Sequence, residues 1–254
     1  SVHDAESAAK LGLAGAPIEG PTHFSQFEPL AAALWGERWF SHGCISAHFL
    51  NMVIEGEQVQ AHMKLDGPGA TRAQIDAHKA DGTPVLTGTA SIGPDHGETA
   101  LAARLAAAIA KPPEKLYVLD LLKVGQRGAA GETIKAGFDD HLGDLYPFTL
   151  RGKLQSITEH ISFHQEGAST PWGGPVFPFE MMSVLTNAFA KSAGFVARQP
   201  SVGLFIDLEV KMLGQPVLVG KPYRLEREIL ALGASKRTES YWTETTVTDP
   251  VTRD

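Results

Sequence analysis

Only one cysteine, Cys44, occurs in the 254 residues. It excludes an internal disulfide and any cysteine-based zinc centre, and it makes a reducing cytoplasm the expected compartment. Nothing near the start reads as a secretory leader. No apolar run approaches the ~20 residues that a membrane helix needs. Basic residues are in deficit: 22 Lys and Arg against 29 Asp and Glu give a net charge of −7, which argues against sequence-nonspecific nucleic-acid binding. A glycine-rich phosphate loop of nucleotide-fold spacing is missing, as is a Gly-x-Ser-x-Gly elbow, so serine-based hydrolysis is disfavoured. No cofactor is expected. What is present is the composition of a soluble globular chain, 43% apolar and 20% charged. That length and apolar content suffice for one large domain or two small ones.

Hydrophobic periodicity divides the chain into two halves of similar order. Residues 4–11 read as a short helix capped by Asp4, followed by a Gly/Pro-rich loop as far as Pro21. Residues 22–36 read as a longer helix with Phe24, Phe27, Leu30, Ala31 and Leu34 on one face. Pro29 inside it predicts a kink or a second start. Strand-like runs at 43–53, 58–65, 71–79 and 85–92 follow, the last two joined by the hairpin turn Lys79-Ala-Asp-Gly-Thr. Residues 93–115 read as an Ala-rich helical linker. Beyond it, 116–124 reads as a strand or short helix, 144–157 as helical, and 171–191 as a loop leading into a long apolar helix. Strands are expected at 202–212, 216–228 and 236–248. Asp249-Pro250 then reads as a turn with a returning strand still to come, and Ser1-Val2-His3 reads as a cut start.

Gly173-Gly-Pro-Val parallels Gly15-Ala-Pro-Ile, and Gly220-Lys-Pro-Tyr parallels Gly56-Glu-Gln-Val. Internal duplication is the simplest account of this. A curved antiparallel sheet that wraps one long helix buries the helix's apolar stripe, and two such units can join at their edges.

These residues resemble the hot-dog proteins of the MaoC-like type. That family carries Asn-Pro-x-His, then Asp-Pro-Glu-x-Ala, then Phe-Gly-Gly-Pro-Ile-x-His-Gly before its central helix. Here Val2-His3-Asp4-Ala5-Glu6-Ser7-Ala8 is followed by Leu13-Ala14-Gly15-Ala16-Pro17-Ile18-Glu19-Gly20, with His3 fourteen residues before Pro17. The segment from Ser46 to Val59 is similar to the family's Arg-Phe-Leu-x-Pro-Val-x-x-Gly-Asp-x-Val. The resemblance implies an α+β fold, a double hot-dog. A first unit is expected at 1–95 without its first strand, a helical linker at 96–115, and a more degenerate unit at 116–254 without its last strand.

It further implies hydration or dehydration of an acyl thioester, of the 2-enoyl or 3-hydroxyacyl kind, carried by CoA or an acyl carrier protein. His3 matches the family's catalytic histidine, and Gly20 matches the glycine that opens the helix. Asp4 and Glu19 join His3 as candidate acid/base residues. Gly15, Pro17, Gly20 and His23 form the candidate substrate-binding set. In that chemistry a carboxylate–histidine pair activates water and moves the proton at the α-carbon. Backbone N–H groups at the helix start hold the enolate charge. The family's Asp falls before Ser1, its second His is Glu19 here, and Pro178-Phe179 occupies that place in the second half, so no complete second site is read.

Two other readings stay open. One is a hot-dog thioesterase, in which a carboxylate activates water. The other is a non-catalytic protein that binds acyl thioesters or serves assembly. A monomer and a homodimer are both allowed. His160 and His164 stand four apart without a third ligand, so no metal is expected. His48 reads as a sheet residue without chemistry. Lys221, Arg224 and Arg227 read as the solvated face of an edge strand, with CoA phosphates as the alternative. Trp35, Trp39 and Trp172 read as core or interface anchors. Asp144 with Tyr146 is the candidate remnant of a second site.

Overall fold

The computed structural model of the protein describes residues 15–141, 148–186 and 193–252. The expected helix at 4–11, and with it His3 and Asp4, lies outside the described residues, as do Asp144 and Tyr146. A 3₁₀ turn at Gly20–His23, with Pro21 at its start where an amide needs no helical partner, runs into helix α1 at Phe24–Trp35. Phe24, Phe27 and Ala31 are fully buried, the spacing of one helical face. The expected stripe is corrected at two positions: Leu30 and Leu34 are 37% and 43% exposed. At about 100° per residue Phe27, Ala31, Phe24, Glu28 and Ser25 follow one another around a single buried arc, and Leu30 and Leu34 fall beyond its Phe27 edge. Pro29 starts no second helix, because α1 runs through it to Gly36; the change of winding comes earlier, between His23 and Phe24.

Helix α2 (Arg38–His42) turns the chain into β1 (Gly43–Phe49), and β2 (Val59–Leu65), β3 (Arg72–Lys79) and β4 (Pro84–Ile92) follow. The expected strand at 43–53 stops at Phe49, and Leu50 and Met52 are exposed. In β2 half-buried residues alternate with exposed ones, and in β3 the buried Ala73, Ile75 and Ala77 alternate with outward residues, as a sheet with one covered face requires. The linker becomes regular only at α3 (Ala100–Ala110), capped by the Thr99 side chain. Its free N-terminal amides are taken by Thr89 of β4 and Ser46 of β1, so it is seated on the sheet.

The later elements are β5 (Thr133–Lys135), α4 (Leu150–Ser156), α5 (Met182–Thr186), β6 (Asp207–Lys211), β7 (Pro222–Ala234) and β8 (Glu239–Thr248). Several expectations are corrected here. Residues 116–124 form neither strand nor helix, and the described part of the helix expected at 144–157 is regular in α4. The strand expected from 202 begins at Asp207. The strand expected at 216–228 begins at Pro222 and runs on to Ala234. The short β5 carries no periodic signal, since three residues cannot define a period.

Among the described residues two antiparallel sheets result, one ordered β2-β3-β4-β1-β6 and one ordered β5-β7-β8. β6, from late in the sequence, joins the first sheet by pairing with β1 from Cys44↔Lys211 to His48↔Asp207. His48, on β1 as expected of a sheet residue, has its Nδ1 2.9 Å from Asp207 Oδ1 on β6, and Arg104 of α3 reaches the same oxygen at 2.6 Å. β7 is an inner strand, so the edge assigned to Lys221, Arg224 and Arg227 is overturned. Arg227 is buried against Glu132 and the Thr186 carbonyl, Lys221 pairs with Asp249, and Arg224 lies 2.7 Å from Glu226.

At the centre, buried Trp39 stacks on Phe179 with ring centroids 4.7 Å apart and on Trp35 at 5.8 Å. It thereby ties the first helical region to the start of the second. Gly88 on β4 has no room for a side chain: a Cβ there would stand 2.0 Å from the Ser46 carbonyl oxygen and 3.0 Å from Ala47 Cα on β1. Gly88→Ala is therefore expected to cost about 1–3 kcal/mol of stability, because backbone must move to admit the methyl group. Denaturant unfolding tests it, and an unchanged midpoint refutes it.

Candidate active site

Both helical starts are led in the same way. In the first, Pro17 bridges Ile54 and the Ile18 amide donates to the Val53 carbonyl at 2.8 Å. In the second, Val176 bridges Leu218 and the Phe177 amide donates to the Val217 carbonyl at 2.7 Å. Each pairing is followed at once by a glycine of positive φ, Gly56 at +90° and Gly220 at +78°. The duplication is thus present in the backbone, with one correction: Val176, not Pro175, takes the place of Pro17 in the pairing. Counted that way, Pro178 stands where Glu19 does and Glu180 where Pro21 does.

The residues expected to meet substrate surround this first start. Gly15 lies so close to Ile54 that a Cβ would be 2.5 Å from its Cγ2. Gly20 faces the Phe49 ring, which a Cβ would approach to 3.3 Å. The absence of a side chain at both positions is thereby accounted for by packing against β1 and the loop after it. Glu19 precedes the 3₁₀ turn with extended backbone angles, φ −70° and ψ 133°. His23 is buried, and its Nδ1 is 3.1 Å from Gln26 Oε1. Burial lowers the basicity of this imidazole, and nearby Lys153 adds to the effect.

Between the two starts lies a set of buried ionisable groups. His164 Nδ1 is 2.9 Å from the Val176 carbonyl, which can only accept, so that nitrogen carries a proton. His164 Nε2 lies 3.2 Å from Glu28 Oε1, close but poorly aligned for a hydrogen bond. Burial pulls the His164 pKa down, yet the Glu28 carboxylate, the Val176 carbonyl and Glu180 outweigh it and hold the imidazole above its ordinary value. A short 3₁₀ turn at Ser162–His164 and the Val176 amide bond to the Phe163 carbonyl fix the ring in place.

Glu180 is the second buried carboxyl. Among the described residues neither of its oxygens has a hydrogen-bond partner, and Lys153 Nζ stands 4.0 Å from Oε2. Burial pushes its pKa up to about 8; Lys153 opposes the rise, and the negative charge of Glu28 reinforces it. Glu180 is therefore mostly protonated at neutral pH. Lys153 Nζ donates to Thr22 Oγ1 at 2.8 Å, which ties α4 to the first helical start.

Sequence reasoning missed this group, although a signal existed. Glu28 sits in the apolar arc of α1, and Glu180 sits between Phe179 and Met181. A carboxylate on a buried face is costly unless it is paired or neutral. In the sequence His164 has only His160 at a ligand-like spacing, and that residue is exposed.

No family model matches this chain. A comparison with curated proteins finds no match. Among solved structures, the chain is similar to a Chloroflexus aurantiacus protein described as a MaoC domain dehydratase, with a TM-score of 0.55 and 16% identity over 98% of this chain and 78% of that one. It is also similar to a conserved Mycobacterium tuberculosis protein with a double hot-dog fold, with a TM-score of 0.56 and 11% identity over 96% of this chain and 79% of that one. Two helical starts with the same lead-in pairing, set against antiparallel sheets of which the first takes in β6 from the later half of the chain, and the likeness to these two structures make this chain a double hot-dog protein.

Proposed function

We propose that this protein hydrates or dehydrates an acyl thioester of the 2-enoyl or 3-hydroxyacyl kind. The observation that carries the reading is the first helical start of a double hot-dog, where the Gly15–Gly20 loop is clamped to residues 53–55 and opens directly into a turn with a glycine at its head. In the hydration direction, water oxygen bonds to the β-carbon while its proton passes to the base. The electron pair of the double bond moves to the α-carbon, which takes a proton. The thioester oxygen carries the negative charge between these steps. Backbone N–H at the Gly20 start, at the positive end of α1, stabilises that charge.

His3, with Asp4 beside it in sequence, takes the acid/base role that the MaoC-like resemblance gives it, and Glu19 supplies a carboxylate at the helix head. Gly15, Pro17, Gly20 and His23 shape the thioester end of the site. Residues 1–95 and 116–254 act as the two hot-dog units, joined by 96–115. The carrier is CoA or an acyl carrier protein. Among the described residues no helix is long and apolar enough to cross a membrane.

The test is a panel of enoyl-CoA and acyl-CoA substrates, with loss of the enoyl absorbance and release of free thiol followed in parallel. Enoyl loss without thiol is the expected result, and His3→Ala should lower its rate by about 10²–10⁴-fold. Thiol release alone would establish a thioesterase instead. Silence in both channels, or full activity in His3→Ala, would overturn the assignment.

A further inference from the structure

A second cluster of chemistry-bearing side chains lies away from the helical starts, on the outward face of the first sheet. His62 of β2 stands directly opposite Asp76 of β3 in the antiparallel register. His78 is two residues further along β3 and therefore shares that face. The covered face beneath is formed by Ala73, Ile75 and Ala77, all buried, so the three polar side chains are held outward by the packing of the strand itself. One ligand atom from each lies within 4.8 Å of the other two. Both imidazoles turn Nδ1 toward one carboxylate oxygen, His62 at 3.1 Å and His78 at 3.0 Å from Asp76 Oδ1.

We infer that His62, Asp76 and His78 form a binding site for a divalent transition-metal ion. Bonds of about 2.1 Å from a metal, set at right angles, place neighbouring ligand atoms about 3 Å apart. The two nitrogen–oxygen separations already have that value, so the site needs little rearrangement to accept an ion. Two imidazoles and one carboxylate are a donor set for Zn²⁺, Ni²⁺, Cu²⁺ or Co²⁺; Mg²⁺ and Ca²⁺ require oxygen-rich sites. The side chains are 48%, 39% and 39% exposed, so water completes the coordination sphere and ions have free access. Lys64 and Arg72 project from the same face, which tempers affinity for a cation.

Metal-stripped full-length protein is titrated with NiCl₂ and with ZnCl₂ in a calorimeter. One ion per chain is expected to bind with micromolar affinity, on the order expected of a three-ligand surface site. His62→Ala and His78→Ala should each weaken binding about tenfold or more, and His160→Ala, elsewhere on the surface, should leave it unchanged. Cu²⁺ bound to the wild type should show electron-spin coupling to two imidazole nitrogens, reduced to one in either histidine variant. Because the three positions face solvent, far-ultraviolet dichroism of the variants should match the wild type. No saturable binding, or binding that survives in the His62→Ala/His78→Ala double variant, would overturn the inference.

Discussion

His164→Leu should destabilise the folded protein by roughly 3–5 kcal/mol, because it strands the Glu28 carboxylate in an apolar core with no opposing charge. Both side chains are 2% exposed, so water cannot take the place of the lost partner. Glu28→Leu should cost less, since the histidine left behind can shed its proton and become a neutral ring. The double variant Glu28→Leu/His164→Leu should recover most of the loss, because two apolar side chains of similar volume remove both desolvation penalties. Denaturant midpoints of all four proteins decide the matter. Strict additivity of the two single effects would show that the pair is not coupled.

The pair also has a pH signature. The folded-state pKa of His164 is raised. Its contribution is thus fully present below the ordinary value of 6.5 and is lost as pH rises through the folded value. Alkaline conditions should weaken the wild type in a way the double variant does not share.

Glu180→Gln should produce the second large effect. The folded carboxyl titrates near 8, against an ordinary value of 4.5. Below 4.5 both folded and unfolded chains hold the proton, and the side chain costs nothing electrostatic. Between those values the unfolded chain releases a proton that the folded chain keeps, so stability falls with rising pH, by roughly 4–5 kcal/mol over the whole interval. An amide cannot titrate, and the variant lacks this slope. Wild type and variant should unfold alike near about pH 5 and diverge in the variant's favour toward about pH 9. Surface carboxylates with lowered pKa, such as Asp139 beside Arg151 and Asp120 beside Arg198, act on the acid side in both proteins and cancel in the difference. Parallel curves for the two proteins would disprove the buried-acid account.

Both effects reside in residues that a sequence reader passes over. Glu28 interrupts an apolar helical arc and Glu180 an apolar run, and each is a warning that a charge has been forced inside. The warning does not name the partner. Glu28 meets His164 across 136 positions, and Lys153 reaches Thr22 across 131. Neither distance leaves a trace in local pattern. The same holds for His62, Asp76 and His78, which become one cluster only when β2 and β3 settle into register.

Alternation in β2 and β3, the turn at Gly82, the start of α1 and the repeated Gly-Pro lead-in were legible because each depends on side chains a few positions apart: pleat, helical pitch and backbone sterics act locally. The architecture was legible through the order of these pieces. What the tertiary structure alone decided is where distant pieces meet: β6 extending the first sheet through β1, β7 lying inside its sheet rather than at an edge, and two buried acids set between the helical starts. Those outcomes depend on which apolar faces cover one another and on how much it costs to desolvate a charge there, and both quantities exist only once the chain has packed.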